Sequence, residues 1–416
     1  MKRISALQNK MISSFDRKLT WMCLSGLLIL IGLVIFSPNR LIVDEIYLYK
    51  NILYAHTVTP ITFINTYTQQ TPGPLYEFVH YLTNTAVKGI VFIRLDNLFL
   101  LLCCMAVIRA IMKKNRVEHA TLLSLLYICL PLTWSNAGTA LTEASALLCL
   151  LLACLFLSDE LNGKRTNMFM LVLAGLLLSL APTSRSTYLV ATPALLCAMY
   201  MTKQISNLRL WLVVLLSLLL PAWLFGMWHG LVPPAQAYTT FSGLSWSHLM
   251  AGIVYSGFCL FILFPNAIRI VRLYRLSFIA LTIVFFIALY RFHIHLLPFI
   301  QAVPPALFAN PIAKYILLIL YALSSSLFVI ATFISIKKEK NGAYIFLLFT
   351  MLFLIVSNIK IGPYFSSNYV FQFAPFMIIL FRQYFAQNRL QLVVNIIGIL
   401  LGIMWVLRLY GVPHLL

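Results

Sequence analysis

Acidic residues are scarce in this chain: Asp and Glu together number 10 among 416 residues, and only 10% of all residues are charged. With a mean hydropathy of +0.93, this excludes an ordinary soluble globule, in which about a quarter of the residues are charged. The eight cysteines fall within apolar stretches and lack the spacing of a zinc site, a redox motif or a disulfide framework. Internal repeats, Gly/Ser linkers and low-complexity segments are also missing, so we expect residues 1–416 to form a single membrane domain.

Long apolar runs, in contrast, are abundant, since 62% of the residues are hydrophobic. A spanning helix needs about 20 mostly apolar residues to cross a hydrocarbon core of roughly 30 Å. Helices are favoured because a transmembrane barrel would show alternation instead. We therefore predict an all-α polytopic membrane protein with about 11–13 transmembrane helices. The thirteen candidate stretches are 20–36, 91–109, 120–134, 140–157, 167–181, 187–201, 210–227, 248–264, 277–290, 315–335, 342–357, 369–381 and 391–408.

The basic residues set the expected orientation. If the N-terminus is inside and the spans alternate, most of the 30 Lys and Arg residues fall in short inner segments. The first apolar run lacks an A-x-A-like cleavage site, so we read it as a retained span. We expect an integral protein of a bacterial inner (plasma) membrane with a cytoplasmic N-terminus. The net charge of +20 then reflects topology, so membrane lipid is an expected partner and nucleic acid is not.

Three outer loops are long enough to carry a function: 37–88, 228–247 and 291–314. With the proposed orientation they place any chemistry on the outer face. The first loop, which is the longest, contains two helical patterns.

The first pattern has Ile46, Tyr49 and Leu53 at helical spacing, which predicts a short amphipathic helix over 45–55 at the membrane surface. In the second pattern, "TPGPLYEFVHYL", a Gly-Pro pair suits the cap and first position of a helix. Glu77 and His80 are three residues apart in that helix, so they share a face.

Two acids stand together at the mouth of the first span: Asp44 and Glu45, in "LIVDEIYLYK". An acid before a helix is commonly an N-cap. A cap does not explain the second acid, and ionisable groups at membrane depth are costly and often functional. We therefore expect Asp44 and Glu45 to be catalytic, a role that is compatible with capping.

The order of the motifs resembles a known family. "VDEIYLYKN", "TPGPLYEFVHYL" and "FIRLDNLFLLL" look like successive elements of the GT-C glycosyltransferases, which use polyprenyl-phosphate sugars, such as dolichyl-phosphate-mannose or -glucose transferases and aminoarabinose transferases. "NAGTALTEASALLCLLLACL", "LAGLLLSLAPTSRSTYLVATPALL" and "SSNYVFQFAPFMIILF" are similar to later elements. The resemblance is best over 20–200. Asn368 stands where the family often has Arg, and Glu143 where Asp is common. The late signature of the dolichyl-phosphate-glucose subfamily is replaced by "GPYFSSNYVF", so that subfamily is not assigned.

The resemblance implies transfer of a sugar from a polyprenyl-phosphate donor to an acceptor hydroxyl on the outer (periplasmic or lumenal) face. Such a transfer needs a base for the hydroxyl and stabilisation of the departing phosphate. Phosphate is a good leaving group, so one carboxylate suffices, whereas glycoside hydrolysis normally needs two. Asp44 is the expected base. Glu45 could orient Asp44, hold a divalent cation (Mg or Mn) together with it, or be solvated.

The basic residues that bind the phosphate should lie on the outer side. The candidates are Arg185, Arg94, Lys360 and Arg291. Arg185 is favoured because the resemblance also points to it, although each of the four could instead anchor a helix end at the headgroups.

The helix of the second pattern supplies the acceptor and loop candidates, Tyr76, Glu77 and His80, and His80 is a further phosphate candidate. The expected partners are a polyprenyl-phosphate sugar and a glycan, lipid or protein acceptor.

Two other classes stay open. A polymerase or ligase of lipid-linked glycans is also polytopic, but would work through arginines without the early Asp-Glu. A transporter or flippase should place acids or broken polar helices near mid-membrane, often in two repeated halves. Here the acids lie at outer span ends and no repeat is visible, which disfavours the transporter.

Overall fold

The computed structural model describes residues 2–42, 45–60, 62–63, 73–84, 88–139, 141–234, 243–291, 311–360 and 368–411. Within these ranges every regular element is a helix. The all-α prediction is therefore confirmed for the described part of the chain. Asp44 lies outside it.

The α-helices follow one another with short connections. The first nine are α1 (Lys2–Ile35), α2 (Glu45–Ala55), α3 (Pro74–Thr83), α4 (Ile90–Lys114), α5 (Ala120–Leu125), α6 (Pro131–Gly138), α7 (Glu143–Leu161), α8 (Met168–Ser184) and α9 (Ala191–Met201). The others are α10 (Leu208–Trp228), α11 (Trp246–Leu263), α12 (Ile270–Leu273), α13 (Arg275–Arg291), α14 (Pro311–Lys338), α15 (Gly342–Ser357), α16 (Asn368–Phe371), α17 (Ala374–Leu380) and α18 (Arg389–Leu409). Short 3₁₀ helices occupy Leu126–Cys129, Ser186–Val190, Pro265–Arg269, Asn358–Lys360 and Arg382–Tyr384.

Among the described residues, eight helices are long and apolar enough to cross a membrane, or ten if each of two bent helix pairs is one span. The bends are 72° between Ala120–Cys129 and Pro131–Gly138, and 113° between Pro265–Leu273 and Arg275–Arg291. Three shorter apolar helices are Met168–Ser184, Ser186–Met201 and Tyr369–Leu380. Each of the thirteen predicted stretches thus coincides with a helix or a bent pair. The chain is a polytopic membrane protein, and the count of 11–13 spans stays a prediction.

Polar contacts join the connections between helices into two groups, one at each end of the helices. At one end, the Asn341 side chain donates to that of Asn115 at 2.6 Å, and Lys114 pairs with Asp159 at 2.9 Å. At the other, Thr187 donates to Gln372 at 2.7 Å. Each contact joins connections that the predicted alternation puts on the same side. The candidate site residues Glu45, Arg94 and Arg185 all lie at the second end, which is predicted to face outward.

The junction of α7 and α8 at this end is pinned by hydroxyl groups. Ser184 donates to the carbonyl of Thr142 at 2.8 Å, and the Ser145 and Ser184 hydroxyls lie 3.0 Å apart. These hydrogen bonds give partners to polar backbone and side-chain groups at the start of α7 and the end of α8. They fix the adjacent residues, Glu143 and Arg185, relative to each other.

The two helices of residues 37–88 that the structure describes, α2 and α3, were both predicted from the sequence. Helix α2 occupies Glu45–Ala55, and α3 begins at Pro74 behind the N-cap Gly73. Helix α3 packs against α2 and against α7 and α8. Gly73 has φ +154°, and a Cβ built there would overlap the carbonyl oxygen of Thr183. Glycine therefore allows the start of α3 to lie directly on the end of α8.

Candidate functional site

Glu45 and Arg94 form a fully buried ion pair. The Glu45 carboxylate accepts from Nε of Arg94 at 2.9 Å and from its Nη2 at 2.7 Å. Arg94 also donates to the carbonyls of Pro38 at 2.8 Å and Arg40 at 2.8 Å. A bidentate ion pair of this kind is strong and directional. It ties α4 to the chain between α1 and α2.

This pair changes the interpretation of two predicted residues. Glu45 is buried, so the solvated alternative for it is wrong. One of its oxygens also accepts from the backbone N–H of Ile42 at 2.8 Å, so Glu45 fixes the chain on both sides of Asp44, which favours the orienting alternative. Arg94 has no exposed surface, and its guanidinium group donates hydrogen bonds to Glu45 and to two backbone carbonyls. It is therefore better explained as a positioning cation than as a phosphate ligand.

Helix α3 buries three of its polar side chains on one face. Tyr76, Glu77 and His80 are all buried, whereas Leu82 is 82% exposed. A helix at the surface of a soluble protein would show the opposite arrangement. An inward polar face with outward apolar residues suits a helix that covers a polar site next to lipid. The predicted shared face of Glu77 and His80 is confirmed.

Glu77 is the unusual member of this face. Among the described residues neither of its carboxylate oxygens has a hydrogen-bond partner. Desolvation by burial raises its pKa from 4.5 to about 8. A carboxyl group in this position is neutral at pH 7, and buried polar groups without partners are uncommon in native proteins.

Tyr76 lies among three glutamates. Burial, and then the charges of Glu45, Glu77 and Glu143, raise its phenol pKa well above 10, while the side chain of Asn97 opposes this effect. The three carboxyls come from the starts of α2, α3 and α7, so α3 brings together acids that are distant in sequence. Two of the three have an arginine partner, Arg94 or Arg185.

His80 belongs to a separate polar cluster. Its Nδ1 lies 3.0 Å from Oδ2 of Asp96, and Thr83 donates to the same oxygen at 2.6 Å. The His80 ring meets that of Tyr76 edge-on, with centroids 4.5 Å apart. This pairing with a carboxylate accounts for His80 without a phosphate.

Arg185 pairs with Glu143, a partner that sequence reasoning missed. The Arg185 side chain is 25% exposed and the Glu143 side chain 0%. Glu143 begins α7 and Arg185 follows α8, so the pinned junction of these helices brings them together. The signal was present, since Glu143 is an acid that opens an apolar stretch, but its partner is 42 positions away.

A largely apolar cavity of about 570 Å³ lies next to Arg185. Arg185 and Lys360, two of the four predicted phosphate-binding cations, both line it. Most other lining residues are apolar and come from the 3₁₀ turn after α8, from α9 and α10 and from the chain that follows α10. They include Leu189, Val190, Pro193, Leu196, Leu218, Leu231, Val232 and Pro233.

The remaining predicted residues lie elsewhere or outside the described residues. Arg291 is exposed at the end of α13 and is not among the residues that line the cavity. The described residues contain no group of three or more His, Cys, Asp or Glu side chains that could hold a metal ion. A cation at Glu45 would also have to compete with Arg94 for both carboxylate oxygens. Asp44, the other proposed ligand, lies outside the described residues.

Comparisons of the chain with protein-family models, with curated proteins and with solved structures give no match. Function is therefore inferred from the residues of the site.

Proposed function

We propose that the protein is a GT-C-like glycosyltransferase that moves a sugar from a polyprenyl-phosphate donor to an acceptor hydroxyl on the outer side of the membrane. The observation that carries this proposal is the cavity lined by apolar side chains, Arg185 and Lys360. The proposed setting is a bacterial inner membrane crossed by 11–13 helices, with a cytoplasmic N-terminus.

The cavity matches the two chemical parts of a lipid phosphate. Its apolar wall suits a prenyl chain, whose burial is favourable in proportion to the area removed from water. Arg185 offers a planar fork of N–H groups to phosphate oxygens, and Lys360 adds a point charge. Both cations belong to the end of the molecule where Glu45, Tyr76 and Glu77 are buried, so the sugar of such a donor would lie near these polar groups.

In the proposed reaction, Asp44 removes the proton from the acceptor hydroxyl. The acceptor oxygen bonds to the anomeric carbon as the bond from that carbon to the phosphate oxygen breaks. The electron pair of the broken bond goes to the phosphate, and Arg185 and Lys360 stabilise the charge that develops there. The Glu45–Arg94 pair holds the chain on which Asp44 is carried.

A polymerase or ligase of lipid-linked glycans would use the same kind of cavity. The glycosyltransferase needs the carboxylate base that follows the first span, and the polymerase or ligase does not. Replacing Asp44 therefore distinguishes the two reactions. A transporter is disfavoured because the buried acids of the described residues, Glu45, Glu77, Glu143 and Glu160, all lie near helix ends and none lies at the middle of a long apolar helix.

The proposal is tested by incubating the purified protein with a panel of polyprenyl-phosphate sugars and measuring released polyprenyl phosphate and transferred sugar. We expect turnover with at least one donor, and a loss of about 10²–10⁴-fold in folded Asp44→Asn. Asn caps a helix as well as Asp does, so near-normal activity of Asp44→Asn would contradict the base and favour the polymerase or ligase. If the whole panel gives no turnover, the proposed donor class is wrong.

A further inference from the structure

The Glu143–Arg185 pair places opposite charges beside the cavity, which Arg185 lines. Glu143 is fully buried, lies at the start of α7 and pairs with the one cavity-lining arginine among the described residues. The pair as a whole is neutral, so Lys360 is the only net positive charge that the described residues give to the cavity. The buried carboxylate offsets the positive charge with which Arg185 would otherwise attract a phosphate.

The charge of the phosphate changes during the proposed transfer. The donor is a phosphodiester with one negative charge. When the bond to the sugar breaks, the phosphate keeps the electron pair and becomes a monoester, which carries about −1.5 to −2 at neutral pH. Two uncompensated cations would therefore hold the product more tightly than the substrate and slow its release.

We propose that Glu143 is a counter-charge that weakens the hold of Arg185 on a lipid phosphate and so allows the product to leave. This inference rests on the proposed function, because it needs a phosphate at Arg185. The repulsion between Glu143 and the phosphate is strong because the carboxylate is buried and little screened by solvent or salt. Glu143 also orients Arg185, but that effect has the opposite sign: losing orientation weakens binding, whereas losing the counter-charge tightens it.

The molecule contains a matched control pair at its other end. Glu160 and Arg209 are 3.2 Å apart, with side-chain exposures of 4% and 24%, close to the 0% and 25% of Glu143 and Arg185. Glu160→Gln therefore makes the same chemical change in a similar environment, away from the cavity.

The experiment measures the dissociation constants of a long-chain prenyl monophosphate and of the corresponding prenyl alcohol, with the whole protein in detergent. We expect Glu143→Gln to bind the monophosphate about five- to tenfold more tightly than the wild type. Glu143→Asp, which keeps the charge, should stay within about twofold of the wild type, and so should Glu160→Gln. Affinity for the alcohol should not change.

Unchanged or weaker monophosphate binding by Glu143→Gln would overturn the counter-charge role, and weaker binding would assign Glu143 to the orientation of Arg185 alone. Equal tightening by Glu160→Gln would also overturn it. If Glu143→Gln is not recovered folded, Glu143→Asn provides a second neutral variant with the same expected sign. Failure of the proposed function has a different signature, since the wild type would then bind monophosphate no better than alcohol.

Discussion

The partners of Glu45, Glu77 and Glu143 distinguish these three buried carboxyls. Glu45 has Arg94 and Glu143 has Arg185, whereas Glu77 has no cation partner among the described residues. Burying an ionised carboxylate without a partner costs so much that the group keeps its proton instead. At the residue scale the site therefore combines two compensated charges with one neutral acid.

The first prediction concerns the pH dependence of stability and does not depend on the proposed function. The pKa of Glu77 is about 8 in the folded protein against an ordinary value of 4.5. Between these values the folded state keeps a proton that the unfolded state has lost, so raising the pH from about 4.5 to about 8 lowers stability. Glu77→Gln should lack this component. Thermal unfolding in detergent measures this effect. As the pH rises from about 4.5 to about 8, the Tm of Glu77→Gln should increase relative to the Tm of the wild type.

The matched control for this experiment is Glu118→Gln, at an exposed position, which should follow the wild-type pH profile. If Glu77→Gln also follows the wild-type profile, Glu77 is not a neutral buried acid.

The Glu45–Arg94 pair gives the second prediction. Arg94→Ala leaves the Glu45 carboxylate buried without its cation, and breaking a buried pair in this way typically costs about 3–5 kcal/mol. We expect a large loss of thermal stability. The double variant Glu45→Leu with Arg94→Met removes both charges and should be more stable than Arg94→Ala. If the single variant is the more stable of the two, the pair does not hold this part of the fold.

Sequence reasoning could find these residues but not their partners. Glu45 was a candidate because acids are rare in the chain, Glu77 because it shares a helix face with His80, and Arg94 because it is a basic residue on the predicted outer side. The Glu45–Arg94 contact spans 49 positions, so no local spacing could predict it. The burial of Glu77 was missed because α3 turns its polar face inward, whereas helical patterning assumes that the apolar face is buried.

At the scale of elements, helix α2 was predicted at its observed position, with its apolar side expected at the membrane surface. The sequence pattern emphasised Ile46, Tyr49 and Leu53. In the structure Leu48 and Ile52 are buried, whereas Ile46 and Leu53 are exposed. Both sides of this helix are apolar, one against the protein and one suited to the membrane surface. Periodicity therefore predicts the helix but cannot decide which side packs on the protein.

The bends between helices show a similar limit. The 120–134 stretch is a bent pair whose second helix starts at Pro131, since proline cannot donate a backbone hydrogen bond and clashes with the preceding turn. Hydropathy reports only that such a stretch is apolar. It does not report a change of direction, so bent pairs and single spans look alike in the sequence.

The third prediction concerns the contact of α3 with α8. Gly73→Ala introduces a Cβ that would overlap the Thr183 carbonyl oxygen at a φ of +154°, which side chains rarely adopt. We expect the start of α3 to separate from α8, with faster amide exchange over 74–83 and reduced activity. The control Gly226→Ala lies where nothing is within 4 Å of the added Cβ and should leave exchange over 74–83 unchanged. Wild-type exchange in Gly73→Ala would show that the docking of α3 does not need glycine.

At the scale of the whole molecule, the ion pairs of the described residues lie near the ends of the apolar spans, as expected for a protein that crosses a membrane many times. Charged groups avoid the apolar centre, where an ionised side chain is costly, while neutral hydroxyl groups such as those of Thr282 and Ser326 pair between the middles of α13 and α14. The net charge of +20 follows from the basic connections at one of these ends. The alternation of basic segments was readable from the sequence, while the packing of distant helices was not.

The fourth prediction is the orientation. Lys164 and Lys88 are exposed residues assigned to opposite ends. In intact cells, a membrane-impermeant thiol reagent should label Lys88→Cys and should reach Lys164→Cys only after the membrane is permeabilised. The described native cysteines are buried or half-buried, so the unmodified protein provides the background. The reverse labelling pattern would place the candidate site in the cytoplasm.

The central claim is that the cavity holds a lipid phosphate at Arg185. The most direct measurement is the dissociation constant of a long-chain prenyl monophosphate for Arg185→Ala and for Arg209→Ala, its counterpart at the other end. Loss of a hydrogen bond to a charged group costs about 1.5–3 kcal/mol, so we expect Arg185→Ala to bind about tenfold or more weakly. Arg209→Ala should bind like the wild type. Equal affinity of folded Arg185→Ala and the wild type would assign Arg185 to anchoring its helix end and would contradict the claim.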